Sequence, residues 1–268
     1  MRAFSLLLVL ILTALGCATP AERFAEQASA RGYTGEVVHG ARFAHLVLRR
    51  PGPPGDFLHV YLDGDGSPLL AGAAAPDPTP RELLVLDLMA QDPMPSVYLG
   101  RPCYNGLRGS SCTGALWTTA RYSEAVVTSL VAAVQRLVER DGVRAVVWIG
   151  YSGGGALARL AAPRLPQTVG LVTVGANLAL ARWTAVHRAP PLDGSLDPAG
   201  APVLPDHVYE RHYVGSRDDV VPPGVVMAGA RPDTVVVVDG YGHVCCWRDR
   251  WPAVLAELDA RLVVRQPR

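Results

Sequence analysis

Apolar residues recur along this chain in short blocks, and between the later blocks they recur at helical spacing. Glu36–His39, Phe43–Arg49 and Phe57–Leu62 read as strands, with a turn expected at Pro51–Gly55. A helix is expected over Arg81–Gln91, after the proline-rich Pro76–Pro80, then a strand over Ser96–Leu99 and a loop between Cys103 and Cys112. Val126, Leu130, Val134 and Leu137 fall on one face of a helix over Tyr122–Arg140. Val143–Ile149 is almost wholly apolar, the pattern of a strand buried on both faces. A helix, a strand over Val169–Val174, an irregular proline-rich stretch over residues 176–206, and a strand over His207–Val214 follow. A helix, a strand over Thr234–Val238 and a final helix over Asp249–Val264 complete the pattern.

Early strands followed by regular strand–helix alternation predict the α/β class: a mostly parallel central sheet flanked by helices. No internal repeat or linker divides the chain. In such a sheet, chemistry sits in the loops after the strand C-termini. The stretch over residues 176–206 is expected as a small cap or pocket wall.

The N-terminus reads differently. Phe4–Leu15 is almost continuously apolar after Met1-Arg2, too short for a good membrane span but suited to a signal-peptide core. The following Gly16-Cys17 resembles a bacterial lipobox, with Ala14 standing where leucine is usual. The expectation is a signal over residues 1–17, lipidation at Cys17, a short helical or flexible tether over 18–34 and a single domain over 35–268, exported to a bacterial cell envelope. Cleavage near Ala18 is the alternative, and it exports the protein equally. Export leaves Cys103, Cys112, Cys245 and Cys246 in an oxidising compartment. Cys103 and Cys112, in a Gly/Ser/Asn-rich loop, are the disulfide candidate, while adjacent Cys245 and Cys246 are free or bonded to each other. With 25 basic and 24 acidic residues and no basic run, the chain is not expected to bind nucleic acid.

The most specific stretch is "VVWIGYSGGGALARLAA", residues 146–162. It holds a G-x-S-x-G motif, Gly150 to Gly154, where a buried strand meets a helix. A serine on such a turn presents its hydroxyl above the sheet, and glycines remove side chains that would collide across the corner. The bland alternative is a glycine-rich turn whose serine caps the helix. A nucleophilic serine needs a base, and His243 is the one histidine of seven placed just beyond a late strand, in "VVVVDGYGHVCCW". An acid should follow the preceding strand, where "GSRDDVVPP" supplies Asp218 and Asp219. The order Ser152, Asp218 or Asp219, His243 is the chain order of a Ser-Asp-His triad on this kind of sheet. Gly153 N–H stands ready for an oxyanion, at the positive end of the new helix.

Together "VYLDGDGSP", "RPCYN", "GYSGGGALA", "GSRDDVVPP" and "GHVCCW" resemble the α/β-hydrolases, in particular a group of bacterial α/β-hydrolase-like proteins, over about residue 35 onward. The resemblance implies an α/β-hydrolase fold with a small cap or none. It selects Asp218 through the Val221-Pro222 that follows at the family's spacing, with Asp219 as fallback. It also implies that the loop after the third strand supplies the second oxyanion N–H. Asp65 is the expected donor and Gly64 the lesser candidate, in a loop that departs from the family's His-Gly. Tyr151, Asn177 and Trp183 are the expected pocket residues, and Tyr104 and Asn105 are weaker ones. The expected activity is hydrolysis of a small carboxylic ester through an acyl-enzyme, with no cofactor and no metal. Acyl transfer, peptide hydrolysis, a non-catalytic envelope lipoprotein, and thiol-redox chemistry at Cys245-Cys246 are the rivals.

Overall fold

A computed structural model describes residues 18–50 and 55–264. The signal expected over residues 1–17, with Cys17, and residues 51–54 of the expected turn lie outside the described residues.

The strands of the main sheet are β1 (Thr34–His39), β2 (Ala44–Arg49), β3 (Phe57–Leu62), β4 (Ser96–Leu99), β5 (Ala145–Tyr151), β6 (Thr168–Val174), β7 (Tyr209–Gly215) and β8 (Val235–Val238); Leu69–Leu70 and Ala73–Ala74 pair separately. The main sheet has the order β1-β2-β4-β3-β5-β6-β7-β8. β1 pairs antiparallel with β2, and β2 antiparallel with β4; every other pairing is parallel. The helices are α1 (Pro20–Ala30), α2 (Leu84–Met89), α3 (Glu124–Asp141), α4 (Gly153–Ala161), α5 (Leu180–His187), α6 (Pro223–Gly229) and α7 (Trp247–Val264).

The alternation of side chains along a strand builds two cores. On β5, Val146 and Trp148 face one side and pack with α3 and α4 through Leu130, Val134, Leu137, Ala156 and Leu160. Val147 and Ile149 face the other and pack with α1, α2 and α7 through Phe24, Leu86, Trp247 and Trp251. This is why β5 lacks polar alternation in sequence. The buried Trp148 Nε1–H donates to Thr168 Oγ1 at 3.0 Å, so the central strand hides no orphan donor there.

Of the short helical or flexible tether expected over residues 18–34, the helix is present as α1: Thr19 caps it with a capping box to Glu22, and Phe24 and Ala28 are buried beneath it. Burying a side chain of Phe24's size contributes about 2 kcal/mol, enough to dock a short helix. The helix expected from Arg81 begins only at Leu84, because Arg81 and Glu82 stay in the proline-led loop. Residues 176–206 are not wholly irregular, since they hold α5 and a short turn of helix at Pro198–Gly200.

The histidines set aside as structural include three with buried partners. His212 Nδ1 meets Thr173 Oγ1 at 2.8 Å, and His59 Nδ1 meets Asp92 Oδ2 at 2.7 Å. His45 bridges the β4 end to α3: Nδ1 meets Gly100 O at 2.9 Å and Nε2 meets Ser129 Oγ at 2.8 Å. Burial pushes the His45 imidazole down to about 4. The unfolded chain therefore takes up a proton there near the ordinary value of about 6.5 while the fold resists it. His45's contribution is complete above that value and is lost as pH falls toward 4. A His45→Gln variant is expected to be less stable than the parent at pH 7, with a gap that shrinks by up to about 3 kcal/mol between pH 7 and pH 4. Urea unfolding of both proteins across that range checks it.

Candidate active site

Ser152 is the hinge between β5 and α4, with φ 53° and ψ −123°. A non-glycine residue there costs about 1–3 kcal/mol, so its surroundings must hold it. Ser152 N–H donates to Val174 O at 2.9 Å, and Gly155 N–H donates to Ser152 O at 3.0 Å. The corner closes because two neighbours lack side chains. A Cβ on Gly150 would stand 2.5 Å from Gly154 O, and one on Gly154 would run into the backbone at the end of β3. Any side chain at Gly153 would collide with the Asp65 carboxylate and come within 2.6 Å of Tyr122 Oη.

The parallel strands bring the other loops to the same edge. The turn after β7 carries Asp218, which is buried, while Asp219 is exposed. Val220 and Val221 N–H donate to Asp218 Oδ1 at 3.0 and 2.7 Å, which aims Oδ2 at His243. His243, beyond β8, places Nδ1 2.8 Å from Asp218 Oδ2 and Nε2 3.1 Å from Ser152 Oγ. A proton on Nδ1 satisfies the carboxylate and leaves Nε2 free to accept from the Ser152 hydroxyl. The His243 loop is braced by Gly242 N–H donating to Cys245 O at 3.0 Å and Trp247 Nε1–H donating to His243 O at 2.9 Å. Cys245 and Cys246 are joined to each other across a cis peptide bond, and Cys103 is joined to Cys112. Gly175, unremarked in the sequence, leaves room for this pair: a Cβ there would sit 3.0 Å from Asp218 Oδ2 and 3.1 Å from His243 Nδ1.

The loop after β3 passes beside Ser152, where a Cβ on Gly64 would lie 3.3 Å from Ser152 Cβ. Neither the Asp65 N–H nor the Gly153 N–H has a hydrogen-bond acceptor among the described residues. Asp63 is sealed: Oδ1 accepts Gly64 N–H at 2.7 Å and Oδ2 has no partner. Burial raises its carboxyl to about 7, against the lowering effects of the Gly64 N–H and the Arg101 charge. Burial would raise Asp65 too, but the guanidiniums of Arg101 and Arg121 hold its carboxyl well below the ordinary carboxylate range. Tyr104 Oη–H donates to Asp65 O at 3.0 Å, so the cysteine loop props this corner from behind.

A pocket of about 510 Å³ opens on Ser152 and His243. Tyr151, Asn177 and Trp183 all line it, as do Asp65 and Gly153. Tyr104 and Asn105 do not line it; Asn105 N–H donates to Thr79 Oγ1 instead. Tyr151 packs against His243 with ring centroids 5.0 Å apart, and Trp183 Nε1–H donates to Val220 O at 2.9 Å. The sequence reading missed Arg121, Tyr122, Val220 and Val221 in the wall. Arg121 and Tyr122 carry no motif and precede an ordinary helix. Val220 and Val221 stood inside "DDVVPP", where they served only as spacing. No cluster of three His, Cys, Asp or Glu suited to a metal ion occurs among the described residues.

Similar architecture recurs in solved structures. An esterase from Pyrococcus furiosus matches with a TM-score of 0.61 at 12% identity, over 93% of this chain and 94% of the other. A hormone-sensitive lipase from a metagenome library matches at 0.58 and 15% identity, over 93% of each chain. An α/β serine hydrolase without a lid from Xanthomonas campestris matches at 0.55 and 13% identity, over 88% of this chain and 96% of the other. No protein-family model and no curated protein matches the sequence. At these identities the likeness is one of fold: with this strand order and the serine at the β5–α4 corner, the chain has the α/β-hydrolase fold.

Proposed function

We propose that the protein is a serine hydrolase of carboxylic esters. The observation that carries this is the unbroken run Asp218–His243–Ser152 at 2.8 and 3.1 Å, ending on a strained hydroxyl in a pocket. Ser152 Oγ attacks the ester carbonyl while His243 Nε2 takes its proton. Asp218 holds the ring and stabilises the imidazolium that forms. The tetrahedral oxyanion accepts hydrogen bonds from Gly153 N–H and Asp65 N–H, both otherwise unused, at the start of α4. His243 then returns the proton to the departing alkoxide, leaving an acyl-serine. Water, deprotonated by the same nitrogen, attacks that acyl group and frees Ser152. The esterase and lipase identities of the structural neighbours favour an ester as substrate.

Ser152→Ala is expected to lower turnover of short p-nitrophenyl esters by roughly 10⁴- to 10⁶-fold, and Asp218→Asn by on the order of 10⁴-fold, with melting temperatures little changed. A fluorophosphonate probe should label the parent and not Ser152→Ala. Labelling elsewhere, or a folded and fully active Ser152→Ala protein, would sink the mechanism.

Asp63 gives a second test, of the loop rather than the nucleophile. Its carboxyl titrates near 4 when unfolded and at about 7 in the fold. Asp63's own contribution to the parent's stability is therefore lost as pH rises from about 4 to about 7 and holds level above that. Asp63→Asn should gain on the parent over that interval, by up to about 4 kcal/mol, in urea unfolding at successive pH values. A pH-independent difference would show that Asp63 is not held neutral.

We also propose that the enzyme is exported and anchored through Cys17. The apolar leader and the Cys103–Cys112 bond support this, since disulfides persist in oxidising compartments. Cys17→Ser should move the full-length protein from the membrane fraction to the soluble one.

A further inference from the structure

Arg101, Arg121 and Asp65 form a cluster beside the pocket that carries one more positive charge than negative. Asp65 is the only carboxylate in contact with Arg101 and Arg121 among the described residues. Its Oδ1 meets Arg101 Nη1, its Oδ2 accepts from Arg121 Nη1 at 2.7 Å, and Tyr122 Oη–H reaches both oxygens at 2.9 and 2.8 Å. Arg101 is buried and committed: Nη2–H donates to Arg121 O at 3.0 Å, and its plane lies over the Tyr104 and Tyr122 rings at 5.1 and 5.5 Å. Arg121 differs. Its Nε–H donates to Thr118 O and its Nη1 to Asp65, but Nη2 has no hydrogen-bond partner among the described residues. Its side chain is 10% exposed, and the residue lines the pocket that holds Ser152 and His243. Unlike Arg101 Nε, Arg121 Nη2 is not sealed from solvent.

A guanidinium cannot shed its proton to escape burial, as a lysine or histidine can. An uncompensated buried cation is therefore costly until an anion reaches it. The other charged groups lining the pocket or lying behind it do not supply that anion. Asp63 is turned inward onto Gly64 and sealed, and Asp218 is bound to His243 and the 220–221 backbone. Arg81 and Glu82 stand exposed at the rim with opposite signs. The free group is a single nitrogen, and the surplus is a single charge. That matches one oxygen of a monoanion better than a dianion.

We infer that the ester substrate carries a second, monoanionic group, a carboxylate or a phosphodiester, which Arg121 Nη2 binds while Ser152 attacks the ester. This rests on the serine-hydrolase reading for its chemistry but not for its binding. The net +1 of the cluster then becomes a recognition element for one class of ester.

Two measurements separate the inference from the reading beneath it. In the parent enzyme, p-nitrophenyl half-esters of dicarboxylic acids with two to six methylenes are compared with neutral p-nitrophenyl esters of matched length. A phosphodiester-bearing short-chain ester and its neutral methyl triester form the second arm. The best anionic ester should exceed its neutral partner in kcat/KM by about tenfold or more, the advantage should shrink as salt rises, and the better arm names the anion. Arg121→Gln should collapse that ratio whatever it does to the absolute rate, and Arg121→Lys should restore part of it. In Ser152→Ala, which cannot turn over, calorimetry should find the monomethyl half-ester of the best length bound about tenfold more tightly than the dimethyl ester. That preference reports on the anion site even if no ester is hydrolysed. If Arg121→Gln does not fold, the salt dependence of the parent and the Ser152→Ala binding decide alone. A neutral ester that equals or beats every anionic one, or a ratio that both Arg121 variants leave unchanged, overturns the inference.

Discussion

Everything in this molecule that bears on chemistry depends on one backbone corner. β5 must stop and α4 must start within a single residue, so Ser152 takes a positive φ that only a tightly enclosed turn can sustain. The enclosure has backbone on three sides: the end of β6 through Val174 O, the end of β3 against Gly154, and the first turn of α4 against Gly150. Each contact is closer than a side chain would allow. The strain is held by the sheet itself, because β3, β5 and β6 are neighbours whose ends cannot move apart without breaking their ladders.

The same corner determines what can stand around it. Parallel strands deliver the loops after β3, β6, β7 and β8 to one edge, and small residues let them approach. Gly175 lets Asp218 and His243 meet, and Gly153 lets the Asp65 carboxylate press against the start of α4. A carboxylate beside a site proposed to gather negative charge is tolerable only because two guanidiniums and a tyrosine hydroxyl absorb it. The Asp65 cluster thus shapes the loop after β3 and sets Arg121 in the pocket wall. Geometry and electrostatics there are one construction.

The two disulfides sit at different distances from this edge. Cys103–Cys112 closes the loop whose Tyr104 supports Asp65 O. Cys245–Cys246 follows His243 after Val244, within the turn that the Gly242 N–H and Trp247 Nε1–H bonds brace. α1, inside the stretch expected as a short helical or flexible tether, lies over the far face of the sheet through Phe24. A helix of eleven residues with few apolar positions gives little local sign that it will dock; its docking was decided by the cavity that α2, β4 and α7 leave for it.

What the amino-acid order determined alone is whatever depends on near neighbours in the chain: the strand and helix periods, the glycine-flanked serine, and the sequence of Ser152, Asp218 and His243 after successive strands. Local steric rules write such signals into a few adjacent residues. In the sequence only the Val221-Pro222 spacing favours Asp218 over Asp219; the fold adds that Asp218 is buried and bonded to the 220–221 backbone while Asp219 is exposed. The Asp65 cluster needed the fold, because its partners lie 36 and 56 positions away along the chain. Charge pairing acts through space over a few ångströms and leaves no period or motif in the chain. Only when the sheet brings distant loop ends together does it become clear which cation is neutralised and which, at Arg121, lines the pocket.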